Sequence, residues 1–192
     1  MRHLVKLGLV PLLLLAGVAE AHPSATHVSG FAAGFSHPLG GLDHLLAMVA
    51  VGLWATQVGG RAIWALPAAF VATMAVADMV AMGGTVIPFF EQGIAASVLI
   101  LGLLIATALR LPVAAATLLV GVFVAFHGIA HGLELPETAA PLGYAGGFIL
   151  ATALLHGLGV TLGLALAPRF GARLTRVTGV AIALGGMVIA AG

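Results

Sequence analysis

The sequence predicts an all-α, polytopic membrane protein with about six transmembrane helices after a cleaved signal peptide. Three observations carry that prediction. Apolar residues fill 61% of the 192 positions and charged residues only 7%, against roughly a quarter charged in ordinary soluble domains. Mean hydropathy over the whole length is +1.20. The apolar residues fall into runs of about 20, long enough to cross a bilayer, separated by short breaks. A soluble globule and a disordered chain are thereby excluded. The lack of cysteine removes disulfide scaffolds, thiolate zinc sites, iron–sulfur centres and cysteine nucleophiles. Seven Lys and Arg against six Asp and Glu leave no basic surface for nucleic acid.

Residues 1–21 read as a secretory signal peptide, leaving 22–192 as a single transmembrane helical domain. Arg2 and Lys6 form a positive start, Leu7 to Val18 a short apolar stretch, and Ala19-Glu20-Ala21 a small-x-small cleavage site. About 12 apolar residues are short of the ~20 that a span needs. Cleavage after Ala21 makes His22 the mature N-terminus. Its amino group and imidazole could then chelate one metal ion.

Six spans are expected near 38–58, 62–82, 91–109, 112–132, 143–167 and 174–191. Turn-forming residues mark the breaks: Gly59-Gly60, Gly83-Gly84 with Pro88, Leu111-Pro112, Pro136 to Pro141, and Pro168. Past the signal every basic residue is an arginine, at 61, 110, 169, 173 and 176, in the breaks after spans one, three and five. Glu91, Glu134 and Glu137 mark the opposite breaks. Positive charge stays cytoplasmic, so both mature termini are expected on the periplasmic side of the bacterial inner membrane. Gly128-x-x-x-Gly132 and Gly159-x-x-x-Gly163 are expected to let helices approach closely.

Eight histidines are out of proportion to this composition, and ionisable groups inside a membrane are costly and usually functional. His37, Gly41, His44 and Met48 share one helical face by spacing, with Pro38 in the first turn of span one. Asp43 could ligate directly or accept the N–H of a ligating imidazole. His127 and His131, at i and i+4, can bind one ion, and Glu134 follows on the same side. His156 falls about 20 Å into span five at ~1.5 Å per residue, near the midplane. Asp78 lies near the outer end of span two, either as a group of the site or as a structural partner for an imidazole. His27 reads as a solvated loop residue. Met48, Met74, Met79 and Met82 read as core filler rather than soft ligands. On the expected topology these polar groups gather in the outer half, with His156 below them. The candidate metal contacts are therefore His22, His37, Asp43, His44, His127, His131, Glu134 and His156.

Two of these stretches resemble a known family. His37-Pro-Leu-Gly-Gly-Leu-Asp43-His44 resembles the His, five residues, Asp-His pattern of the HupE/UreJ family of bacterial membrane proteins. Phe126-His-Gly-Ile-Ala-His-Gly-Leu-Glu134 matches that family's second signature. The resemblance implies a nickel permease, with cobalt as a related substrate, linked to metal supply for nickel–iron hydrogenase or urease. It implies metal contacts at His37, Asp43, His44, His127 and His131.

Imidazole and carboxylate donors suit a borderline divalent ion, and the absence of cysteine argues against copper(I) chemistry. The expected function is uptake of Ni²⁺, or Co²⁺, with no catalytic residues and no resident cofactor. Two alternatives stay open: a membrane-embedded, zinc-type hydrolase in which the ligands activate water, and an accessory protein that binds nickel without moving it. The expected partners are the divalent ion and the lipid bilayer, with self-association as an open alternative.

Overall fold

A computed structural model describes residues 30–134 and 141–192. The expected signal peptide, His22 and His27 lie outside the described residues. Every described element is a helix. The chain runs α1 (Gly30–Gly40), α2 (Leu42–Val58), α3 (Ala62–Met82), α4 (Phe90–Thr107) and α5 (Val113–Glu134). The last helical stretch, Pro141–Ala191, is interrupted at Gly171, whose φ of 71° and ψ of 175° are far from helical values. It divides into the apolar spans α6 (Leu142–Leu166) and α7 (Gly171–Ala191). Among the described residues α3 to α7 are each long and apolar enough to cross a membrane, and α1 with α2, bent by 81° at their junction, passes the same test only as a pair, as a broken span or a re-entrant loop. The protein is a multi-pass membrane protein of the expected class.

The first span departs from expectation. It does not run as one helix from residue 38. Instead α1 begins at Gly30, places Pro38 in its last turn and stops at Gly40. Gly41 is extended (φ −101°, ψ 123°), and α2 starts afresh at Leu42. His37, Gly41, His44 and Met48 therefore do not share one helical face. Met48 is fully buried in the apolar core instead.

The helices are apolar all round, as lipid-facing helices must be. In α3 the inner stripe is Leu66, Phe70, Met74, Ala77 and Ala81. Trp64, Val76, Met79 and Met82 are exposed on the opposite side. Two of the four methionines expected as filler are thus outward-facing. Inside the bundle Leu53, Trp54, Leu66, Phe70, Leu101 and Ile105 are fully buried.

Hydrogen bonds secure one end of the bundle. The last carbonyls of a helix have no partner within it. At the end of α4 two neighbours supply side-chain donors: Gln57 Nε2 donates to Ile105 O (3.1 Å) and Arg176 Nε to Ala106 O (2.7 Å), while Trp54 Nε1 donates to Leu109 O (3.0 Å) just past the helix. Arg176 also places positive charge against the negative end of the α4 dipole. The ends of α2 and α4 and the start of α7 are thereby tied together.

Glycines set the distances between helices. A Cβ on Gly52 of α2 would overlap the His156 carbonyl of α6 and lie 2.9 Å from Val160 N. On Gly159 of α6 it would lie 3.0 Å from Leu53 N. Gly147 brings α6 onto α1, where a Cβ would stand 2.7 Å from Phe35 N. Gly128 and Gly132 bring α5 onto α3, with Met74 O and Ala81 Cβ at 2.8 and 2.6 Å from the corresponding positions. The small-residue motifs do the packing their spacing predicts. Gly52→Val should cost roughly 3 kcal/mol through overpacking and lower the thermal midpoint in detergent by about 6–12 °C. Gly157→Ala, where a Cβ would meet nothing within 4 Å, should leave the midpoint unchanged or raise it slightly.

Candidate metal centre

The break at Gly41 builds the centre. Where the chain leaves α1 and re-enters a helix, Asp43 and His44 occupy the first turn of α2. Asp43 Oδ1 accepts from His44 Nδ1 at 2.8 Å. A Cβ at residue 41 would lie 2.6 Å from that carboxylate oxygen and 2.9 Å from His44 Nδ1. Glycine at 41 therefore leaves space beside this pair, which a Cβ would force to shift. The hydrogen bond matches one of the two roles open to Asp43, that of orienting an imidazole. It fixes the tautomer of His44 and leaves Nε2 as a lone pair, buried and without a hydrogen-bond partner.

Three histidines then meet. The bend turns His37, at the end of α1, back over the start of α2, and α5 delivers His131 from its last turn. One nitrogen from each of His37, His44 and His131 lies within 4.8 Å of the other two. Ring centroids are 5.8 Å apart for His37–His44 and 4.6 Å for both His37–His131 and His44–His131. Both ring nitrogens of His131 are buried without partners. Nitrogens bound to one ion at about 2.0–2.1 Å stand roughly 3–3.5 Å apart. Small side-chain rotations would close the cluster onto an ion. Phe148 of α6 packs edge-on against His131 with centroids 4.5 Å apart, and Tyr144 stands 6.0 Å from His37. These rings wall the cluster on the α6 side.

His127 and His131 sit on one helix as expected, but they face different partners. His127 is 5.1 Å from His44 by ring centroids and 1% exposed. Its Nε2 lies 2.9 Å from Ser97 Oγ, and that hydroxyl donates to Ile94 O at 2.6 Å. Ser97 has one proton to give and gives it to the carbonyl. It must therefore accept from His127 Nε2–H. His127 Nδ1 is left as an unprotonated, buried atom with no partner. Ser97 is fully buried, and nothing about a serine in an apolar helix marks it in the sequence.

His156 stands apart from the trio. Its ring packs edge-on against Phe70 at 4.7 Å, and the same Phe70 ring is 6.4 Å from His127. Both nitrogens of His156 are buried without partners. Glu134 is the last residue of α5, and its side chain lies outside the described part. The bundle thus brings together His37, Asp43, His44 and His131, with His127 beside them, and reaches His156 through Phe70.

A family model described as HupE / UreJ protein matches residues 10–189. The chain belongs to the HupE/UreJ family. It is also 43% identical over 180 residues to Protein HupE of Rhizobium leguminosarum bv. viciae, covering 94% of each chain. No solved structure matches the chain. Membership agrees with the resemblance carried by the two motifs. Those HupE/UreJ-type motifs supply all three members of the histidine trio and the carboxylate that orients one of them.

The geometry predicts distinct losses when Ni²⁺ binding to the purified full-length chain is measured by calorimetry. His44→Ala and His131→Ala should each weaken binding at least 100-fold. Asp43→Asn, which removes an orienting group but no ligand, should weaken it by about 10- to 100-fold. Equal affinity in His44→Ala and wild type would remove the trio as the binding site.

Proposed function

We propose that this protein carries Ni²⁺, with Co²⁺ as a related substrate, inward across the bacterial inner membrane. The trio of His37, His44 and His131 is its first dehydrating site. The observation that carries this reading is the convergence of three imidazoles from α1, α2 and α5 in a HupE/UreJ family member. Nitrogen donors of this kind replace water around borderline divalent ions. Protein HupE, the relative described above, is similar over nearly the full length of both chains.

The proposed sequence of events follows the depth of the donors. The ion arrives from the periplasm, where the signal peptide and the arginine distribution put the mature N-terminus. His22 and Glu134 are assigned to its capture on sequence grounds alone. His44 Nε2, oriented by Asp43, joins His37 and His131 in stripping water from it. His127 Nδ1, presented by Ser97, stands next in line, and His156 lies past the Phe70 ring. A doubly charged ion moving inward at 100 mV gains about 4.6 kcal/mol, twice the unit-charge value. The membrane potential therefore suffices as driving force. Delivered metal would supply nickel enzymes such as hydrogenase or urease.

This reading predicts saturable ⁶³Ni²⁺ uptake into proteoliposomes containing the full-length chain. Uptake should fall at least tenfold in His44→Ala and His127→Ala. Ligation requires the neutral imidazole, so protonation competes with metal. Uptake should decline as the pH on the loading side drops toward about 6 and below. Metal binding with no flux in any preparation would instead identify an accessory protein that holds nickel without moving it.

A further inference from the structure

Between α3 and α6 lies a cavity of about 410 Å³. Its walls are mostly apolar, contributed by Met74, Phe148 and the outward-facing Met79 and Met82, but four residues with polar side chains line it: Asp78, His131, Tyr144 and Thr152. Asp78 Oδ1, Thr152 Oγ1 and both His131 nitrogens are buried with no hydrogen-bond partner. Thr152 is 1% exposed and His131 3%. Unsatisfied polar atoms on an apolar wall are costly unless something in the cavity bonds to them. A lipid acyl chain would cover the methionines and the phenylalanine and satisfy none of the unpartnered atoms of Asp78, Thr152 and His131.

We infer that this cavity is a water-filled vestibule in which a hydrated divalent cation is received by Asp78 and Thr152 and handed to His131. The inference rests on the reading above, that a divalent cation passes through the histidine trio. The chemistry of the walls fits that guest. Water molecules around a dication point their hydrogens outward, so the vestibule must offer acceptors. A carboxylate oxygen, a hydroxyl and an imidazole lone pair are acceptors. Size also fits: an ion with six waters needs roughly 180–200 Å³ at about 30 Å³ per water. Low-dielectric walls strengthen the pull of the Asp78 carboxylate on a cation.

The backbone keeps the two ends of this step in register. Gly128 and Gly132 of α5 press directly onto α3 at this point. A Cβ on Gly132 would lie 2.5 Å from Asp78 O, and one on Gly128 would lie 3.2 Å from Asp78 N. His131 lies between these glycines in sequence, so the imidazole and the carboxylate are held by one helix crossing. His131 belongs both to the vestibule wall and to the trio. It is therefore the point where an ion held through its waters becomes an ion bound through nitrogen.

The chain has no cysteine, so Thr152→Cys introduces a single thiol. In spheroplasts a membrane-impermeant cationic methanethiosulfonate should modify that thiol. Asp78→Asn should slow this reagent at least fivefold and leave a neutral methanethiosulfonate of similar size unchanged. If Thr152→Cys fails to fold, Ala75→Cys on the same wall reports instead. In uptake assays Asp78→Asn should raise half-saturating Ni²⁺ at least fivefold, with calorimetric Ni²⁺ binding at the trio changed less than twofold. Thiols that react only with a lipid-soluble maleimide would overturn the vestibule in favour of a lipid-filled groove. So would labelling rates indifferent to residue 78. Charge-dependent labelling in a protein that carries no Ni²⁺ would keep the vestibule and overturn the nickel reading.

Discussion

A lone pair on nitrogen can ligate a cation only if it is kept free of protons and of competing hydrogen bonds. In hydrocarbon such an atom is expensive to leave unmatched, by about 1–3 kcal/mol. This bundle keeps several of them. His44 Nε2, His127 Nδ1 and the one unprotonated nitrogen of the neutral His131 ring are buried without partners. In two cases a neighbour holds the other nitrogen: Asp43 for His44 and Ser97 for His127. The free lone pair is then a consequence of the bond made on the opposite side of the ring. A cation bound between His44 and His131 recovers the cost at those two rings. That is the physical reason to read the cluster as a binding site rather than as packing.

The rest of the architecture serves that arrangement. Three helices must deliver imidazoles to one point, which demands close crossings and one sharp turn. Glycine provides the close crossings, and the extended residue 41 marks the turn. Gly52 and Gly159 bring α2 and α6 into backbone contact, and Gly128 and Gly132 seat α5 on α3. Gly41 ends one helix and clears space for the Asp43–His44 bond that opens the next. At the far end Gln57, Trp54 and Arg176 tie α2, α4 and α7 together through carbonyls at and just past the end of α4. The polar chemistry of this protein is thus divided between a fastened end and a ligating end.

Span number and approximate bounds were legible in the sequence because they depend on length and hydropathy, which the bilayer dictates. The break inside the first span was not. Gly40-Gly41 after Pro38 suits a helix end, yet 3.6-residue spacing also puts His37 and His44 on one face of a straight helix. The contact between them is real, but the 81° bend makes it. His131 and Asp43 were visible by residue type, since acids and imidazoles are scarce in apolar helices. Ser97 and Phe148 were not, because serine and phenylalanine are ordinary in a membrane helix and only tertiary contact gives them a role. Met79 and Met82 were misjudged for a related reason. Hydrophobicity in a membrane protein does not separate the core from the lipid-facing surface.

The coordination shell of bound nickel tests the central claim most directly. X-ray absorption of the Ni²⁺-loaded full-length protein should show about three imidazole nitrogens near 2.1 Å, one fewer in His37→Ala. A shell of oxygen atoms alone, unchanged by that substitution, would contradict the account.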